Sequence, residues 1–217
     1  MSRGNGRMKV FLDETDYKKF LRVLGDVLDV YELECWDYCL MPTHYHLALV
    51  NRRSNLSIAM QHLNGEYATW WNGRHQRVGH VFQGRFKDQI VDQESYLLNL
   101  IRYIAMNPVR ARLVDTPERW PWSAYGCLAG LVPTPNFLSS EELLCHLGDD
   151  DVSRLRQRYV AHVLQTMEGE AVYELFRSRR RILGSGEFVR TIRDKATYAS
   201  PPVAMTATSM RTGLIAF

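Results

Sequence analysis

Tyr31-Glu32-Leu33-Glu34-Cys35-Trp36-Asp37-Tyr38-Cys39-Leu40, then Met41-Pro42-Thr43, then His44-Tyr45-His46-Leu47-Ala48-Leu49-Val50 is the stretch that decides the fold. The first ten residues are aromatic and alternating, the character of a half-buried strand. The proline-containing triplet breaks it, and the last seven residues resume as a second strand. So short a break between two extended runs predicts neighbouring antiparallel strands.

Working outward, Asp13 or Thr15 can cap a helix running to about Asp29, because Tyr17, Phe20, Leu21, Leu24, Val27 and Leu28 recur at helical spacing. Downstream, Ser54 or Asn55 opens a helix over Leu56 to Trp71. Arg85 to Val91 alternates like a strand, and Asp92 or Ser95 caps a helix to about Met106 that Pro108 ends soon after. The order helix, strand, strand, helix, strand, helix needs only one leading strand to become a ferredoxin-like split βαβ sheet of the α+β class. No such strand is visible in Met1 to Val10: either those few residues supply it poorly or the chain starts late, and a missing central strand would leave an unpaired sheet edge beside the histidines.

Beyond this unit, Trp120-Pro121-Trp122-Ser123 begins a short helix, and from about Pro133 the chain reads as a helical C-terminal appendage. Ser139-Ser140-Glu141-Glu142 is a capping start, with further helices expected around Val152 to Met167 and Glu170 to Arg180. Arg177, Arg179, Arg180 and Arg181 cluster, as a solvated helix end or a contact to a nucleic-acid backbone. Past Tyr198 the tail is small and polar and is expected to be disordered. The division is therefore residues 1–130, 131–197 and 198–217.

The chain has 217 residues, 46% of them hydrophobic and 24% charged, the balance of an ordinary globular protein. No stretch reaches the length of a membrane span, and the first residues lack the apolar core of a signal peptide. The expectation is a cytoplasmic protein with no membrane partner. Cys35, Cys39, Cys127 and Cys145 are too few and too scattered for a disulfide framework and read as buried thiols. The net charge of +3 does not announce a nucleic-acid binder, but its distribution does more. Between Asn51 and Ile90 stand Arg52, Arg53, Arg74, Arg77, Arg85 and Lys87 against only Glu66 and Asp88, interleaved with Tyr67, Trp70, Trp71, Phe82 and Phe86. Cations that neutralise phosphates beside rings that stack on bases suit a single strand; a solvated helix face over aromatic core is the plainer alternative.

His44-Tyr45-His46 reads either as a structural pair, the commoner case for His-x-His alone, or as a metal site. Alternate residues of a strand share a face, so the two imidazoles point together and make a natural pair of divalent-metal ligands. On the helix before Pro108, Tyr103 and Asn107 are four apart and project from one side, with Tyr96 seven before Tyr103 on the same stripe. Tyr96 reads as core. Tyr103 reads either as core or as a nucleophile whose phenol a nearby cation would help to ionise. Asn107 is either a helix cap or an oxygen ligand to a hard metal.

Three ordered segments resemble the REP-associated tyrosine transposases, which belong to the single-tyrosine HUH transposases: Met41-Pro42-Thr43-His44-Tyr45-His46-Leu47, Gly79-His80-Val81-Phe82-Gln83-Gly84-Arg85-Phe86-Lys87, and Tyr96-Leu97-Leu98 leading into Arg102-Tyr103-Ile104-Ala105-Met106-Asn107-Pro108-Val109-Arg110-Ala111. Ser2-Arg3-Gly4-Asn5-Gly6 and Trp120-Pro121-Trp122-Ser123 resemble it too, so the likeness covers about Ser2 to Leu128. The resemblance implies an HUH-type catalytic domain over residues 1–130. His44, His46 and Asn107 would bind Mg2+ or Mn2+. Tyr103 would attack DNA and become joined to its 5′ phosphate. The implied partner is single-stranded or hairpin-forming DNA, with Arg52, Arg53, Arg85, Lys87, Arg110 and Arg112 as phosphate contacts. The protein would be a monomer or homodimer, associated with the nucleoid when bound to DNA. Two other readings stand beside it: a hairpin DNA- or RNA-binding protein of the same fold without catalysis, and a zinc hydrolase using the histidine pair.

Overall fold

A computed structural model of the chain describes residues 2–148, 151–165, 176, 181–198 and 214–216. Its core is the hairpin of β2 (Leu33–Met41) and β3 (His44–Asn51), paired antiparallel with Met41 opposite His44 and Cys39 opposite His46. The register shifts between Cys35 and Asp37, so Trp36 is the extra residue of a β-bulge. Almost every residue of both strands is buried, because helices cover both faces of the hairpin.

Helices α1 (Glu14–Tyr31) and α2 (Leu56–Arg74) cover one face. Asp13 caps α1 by accepting from the Thr15 and Asp16 amides, and Glu32 ends it in the left-handed conformation. The stripe Tyr17, Phe20, Val23, Leu24, Val27 and Leu28 is buried, and Phe20 meets the Tyr45 ring at 4.7 Å and Tyr67 of α2 at 5.1 Å. At the open end of the pair, fully buried Asp16 accepts from the Leu12 amide and lies 3.0 Å from His75 Nε2, with Arg74 also bound to it. This carboxylate ties the start of α1 to the end of α2.

Helix α3 (Gln93–Arg110) lies on the other face, and Pro108 sits inside it rather than beyond it. The helix is extended by α4 (Tyr125–Leu128), α5 (Ser140–Cys145) and α6 (Val152–Leu164) packed around it and β2. Arg102 donates to the His162 carbonyl and the His162 ring bonds the Leu98 carbonyl, so α3 is pinned to α6. After β5 (Ile182–Leu183) comes α7 (Gly186–Tyr198), a helix the sequence reading did not anticipate. The helix expected over Glu170 to Arg180 lies outside the described residues apart from Phe176, as do Arg177, Arg179 and Arg180 of the basic cluster.

Of the two alternatives for the leading strand, the first is observed: the opening residues supply it, and only as a short piece. Ser2–Arg3 form β1, antiparallel to β3 with Ser2 opposite Tyr45 and Arg3 opposite His44. A Cβ on Gly4 would stand 2.2 Å from the Met8 carbonyl oxygen, so only glycine allows the chain to turn there. Further along β3, Leu214–Ala216 form β6, paired with both β3 and β4 (Gln89–Val91). These residues of the expected disordered tail are a strand. The described strands make one six-stranded sheet in which β2 pairs one side of β3, β1 and β6 pair its other side end to end, and β4 and then β5 follow beyond β6.

Asp37 is buried on β2, and no hydrogen bond of good geometry reaches its carboxyl oxygens among the described residues. Burial holds this carboxyl well above the ordinary range, offset only partly by the Tyr38 amide. The folded protein therefore keeps a proton that the unfolded chain releases above about pH 4. Stability from this group is full below that pH and falls as pH rises towards the folded pKa, by up to about 1.4 kcal/mol per pH unit. Asp37→Asn is expected to remove that slope, as measured by denaturant unfolding at pH 5 and pH 8; an unchanged difference would show that Asp37 does not hold the proton.

Candidate functional site

The site grows from the register of the hairpin. Because Met41 faces His44 and Cys39 faces His46, both imidazoles share the sheet face that α3 covers, while Tyr45 points to α1 and α2. The two rings stand edge to face with centroids 5.0 Å apart. His46 is buried and His44 half-buried. The Thr43 hydroxyl lies 2.9 Å from His44 Nδ1, a contact that leaves Nε2 as the ring nitrogen for a ligand. Burial, and then the positive charge of Arg3, pushes the His44 pKa down to about 4, so the ring is neutral near pH 7 with its lone pair available.

Tyr103, on α3, meets His46 edge to face at 5.3 Å between ring centroids. It also packs on Phe176 at 5.1 Å, and the residue is only 8% exposed. Asn107, one turn further on, donates from Nδ2 to the Tyr103 carbonyl at 2.7 Å, which leaves Oδ1 available as an acceptor. The structure thus brings His44, His46 and Tyr103 together and sets Asn107 on the same helical face. Tyr96 is a partly buried residue against the core.

Two imidazoles and an amide oxygen fit a divalent cation that completes its shell with water or phosphate oxygens. Among the described residues no cluster of three or more His, Cys, Asp or Glu side chains is placed to hold a metal. All four cysteines are free thiols, three of them buried, and a zinc hydrolase built on the histidine pair lacks its third strong ligand among the described residues.

The expected phosphate contacts divide. Arg52 bonds Glu34 and Arg53 bonds Glu32, and both arginines follow the far end of β3, roughly 20 Å along the strand from His46. Arg110 and Arg112 are exposed at the end of α3, with Arg112 in the left-handed conformation that stops the helix. Arg85 and Lys87 are exposed on the segment before β4.

Arg85 also borders a groove of about 830 Å³ between α2 and residues 79–86, whose lining includes Gln61, Asn64, Asn72, Gln83 and Phe86. This groove lies on the α2 side of the sheet; His80 lines it, and neither His44 nor His46 does. Its amides were not singled out in the sequence; the readable signal was an α2 face where Gly65 and Ala68 stand among Gln61, Asn64 and Asn72. The floor is fixed by a polar triangle: the Tyr45 hydroxyl donates to Asn64 Oδ1 at 2.8 Å and lies 3.0 Å from Ser2 Oγ, which accepts from Asn64 Nδ2 at 3.2 Å.

Residues 1–107 match the family model described as "Transposase IS200 like". A protein of Haemophilus influenzae named "Putative REP-associated tyrosine transposase" is 26% identical over 131 residues, which cover 55% of this chain and 73% of that protein. No solved structure matches the chain. No helix among the described residues is long and apolar enough to cross a membrane.

Tyr45→Phe removes the hydroxyl from the triangle and leaves Asn64 and Ser2 short of a partner. It is expected to cost about 1–3 kcal/mol, seen as a melting temperature lower by roughly 2–4 °C for each kcal/mol. An unchanged melting curve would show that the triangle does not hold β1, β3 and α2 together.

Proposed function

The chain belongs to the IS200-like transposase family through residues 1–107, and from that premise we propose that it cuts and rejoins single-stranded DNA at hairpin-forming repeats through Tyr103. The observation that carries this reading is the meeting of Tyr103 with the His44–His46 pair across the α3 face of the sheet. Two distant parts of the sequence, the His44–His46 strand and the helix of Tyr103, converge there, and each residue has a role that phosphodiester chemistry needs.

The Tyr103 oxygen attacks the phosphorus, the bond to the 3′ oxygen breaks, and the phenol proton ends on the departing 3′ hydroxyl. The product is a 5′-phosphotyrosine and a free 3′ end. Rejoining is the reverse, with a 3′ hydroxyl displacing the phenol. His44 and His46, with Asn107 as an oxygen donor, would hold Mg2+ or Mn2+, which when bound supplies charge stabilisation to the phosphoryl oxygens. The Thr43 contact at Nδ1 leaves Nε2 of His44 as the ring nitrogen for a ligand, and burial keeps that ring neutral. His46 and Phe176 both pack against the ring of Tyr103.

DNA would reach the protein through exposed Arg85 and Lys87 and through the α2 groove, whose amides can hydrogen-bond base edges while Phe86 offers a ring to stack on. Arg52 and Arg53 are bonded to glutamates and far from the histidines, which makes them weaker candidates than the sequence alone suggested.

One observation favours a second reading, a hairpin-binding protein without catalysis: Tyr103 is almost fully covered, with Phe176 against its ring. Incubation with single-stranded hairpin DNA and manganese, followed by denaturation, separates the two. A covalent adduct is expected that disappears in Tyr103→Phe and in His44→Ala; binding without an adduct under any divalent metal would establish the second reading.

Thr43→Val keeps the side-chain shape but removes the partner of His44 Nδ1. Manganese affinity by calorimetry is expected to fall about 10–100-fold, with the melting temperature unchanged and with Thr43→Ser restoring it. Equal affinity in Thr43→Val would remove Thr43 from the site. For DNA, Arg85→Ala is expected to weaken hairpin binding several-fold more than Arg52→Ala in a filter assay at fixed salt, and the opposite order would place the DNA track at the far end of β3.

A further inference from the structure

The side of β3 that faces β4 is paired by two segments from opposite parts of the sequence. Leu214, Ile215 and Ala216 stand opposite Val50, Leu49 and Ala48, and Ser2 and Arg3 stand opposite Tyr45 and His44. Both segments are antiparallel to β3, so they run in the same direction along one line. Counting along β3, only Leu47 and His46 separate their partners. The two pieces are therefore in register as parts of a single strand position. On its other side the same position pairs with β4, Leu214 to Ala216 standing opposite Val91, Ile90 and Gln89.

This position matters more than an ordinary sheet edge. Ala48, Leu49, Val50 and Val91 are buried, so their backbone groups need partners that water cannot supply. Apart from β6, β4 pairs only with the two-residue strand β5 among the described residues, so β6 is the sole bridge that joins β4 and β5 to the hairpin. His46 lies on the stretch of β3 between the two segments.

We propose that the slot between β3 and β4 is a strand-acceptor site whose occupant is Leu214–Ala216, and that this segment and Ser2–Arg3 together serve as the central strand that holds β3, and His46 with it, in place. The last residues of the sequence are then a structural part of the histidine-bearing sheet. Three residues with one row of pairs on each side form a removable bridge, so its insertion or release would set how firmly β3 presents the histidines. The proposal goes beyond the reaction proposed above and does not depend on it.

The test uses the full chain. Ile215→Pro removes a backbone donor and forces a fixed φ in the middle of the segment, whereas Ile215→Val keeps strand geometry. In Ile215→Pro, hydrogen exchange at Ala48–Val50 and Gln89–Val91 is expected to rise at least tenfold and the melting temperature to fall by roughly 5–10 °C; Ile215→Val should match the parent in both. Unchanged exchange in Ile215→Pro, or an equal rise in Ile215→Val, would overturn the proposal. A cysteine pair, Ala48→Cys with Ala216→Cys in a Cys145→Ser background, reads the position directly even where the proline variant folds poorly. Directly opposed residues have the spacing a disulfide requires, so mass spectrometry after mild oxidation should find the 48–216 link within one chain, and its absence would equally sink the idea. Adduct formation with hairpin DNA by the parent chain is scored separately, so failure of the catalytic reading leaves this result interpretable.

Discussion

The antiparallel register of β2 against β3 is the constraint from which the rest follows. Pairing Met41 with His44 and Cys39 with His46 decides which sheet face receives each side chain. A slip by one residue would send both imidazoles to the α1–α2 face and bring Tyr45 to α3 in their place. The short turn at Pro42-Thr43 sets that register locally, and the turn is itself tied down, because the Pro42 carbonyl accepts from the Val10 and Phe11 amides and the Thr43 carbonyl from Gly4. The segment before α1 thus acts as a brace for the hairpin turn. Burial on both faces then makes the register costly to change, since nearly every residue of the hairpin would lose its packing partners.

Much of this was legible in the sequence. The hairpin, α1 and α2 announce themselves through period and turn chemistry, and the observed His44–Asn51 strand begins where the break at Pro42 requires. The end of α3 was less legible. Proline is a poor guide there: Pro108 forfeits the bond its N–H would make one turn back, yet the helix runs on to Arg110. The central strand position could not be read at all. It is assembled from two residues at one end of the sequence and three at the other, each too short for a periodic pattern, and only pairing with β3 makes them strands. The helix Gly186–Tyr198 escaped notice because Gly184 and Gly186 suggest a loop; Gly184 is instead needed where a Cβ would meet Phe188 and Asp92.

At the site, the sequence named the residues and the structure supplied their relation. His-x-His on a strand fixes a shared face, and that inference needs no tertiary information. The approach of Tyr103 to His46 does need it, since it depends on how α3 crosses the sheet and on the pins from Arg102 and His162 to α6. Basic residues were the least reliable guide. Arg52, Arg53 and Arg74 look alike in sequence, yet Arg52 pairs with Glu34 on the adjoining strand, Arg53 with Glu32 at the end of α1, and Arg74 closes the Asp13–Asp16 cluster. A cation spent on a carboxylate is a poor phosphate contact, and no local pattern reports that spending.

Two sheet faces with different chemistry result from one alternation. The odd-numbered side of β3 carries Tyr45 into a hydrogen-bonded triangle with Asn64 and Ser2, which shapes the amide-lined groove against α2. The even-numbered side carries His44 and His46 towards Tyr103. β3 therefore couples the two: a shift of the strand that opened the groove would also move the imidazoles, because the same backbone bears both. A nucleic acid bound in the groove would in this arrangement act on the histidine pair through a rigid strand rather than through a chain of side chains. Ser2 is where this coupling meets the sheet's composite strand, since its hydroxyl closes the triangle while its backbone pairs with Tyr45.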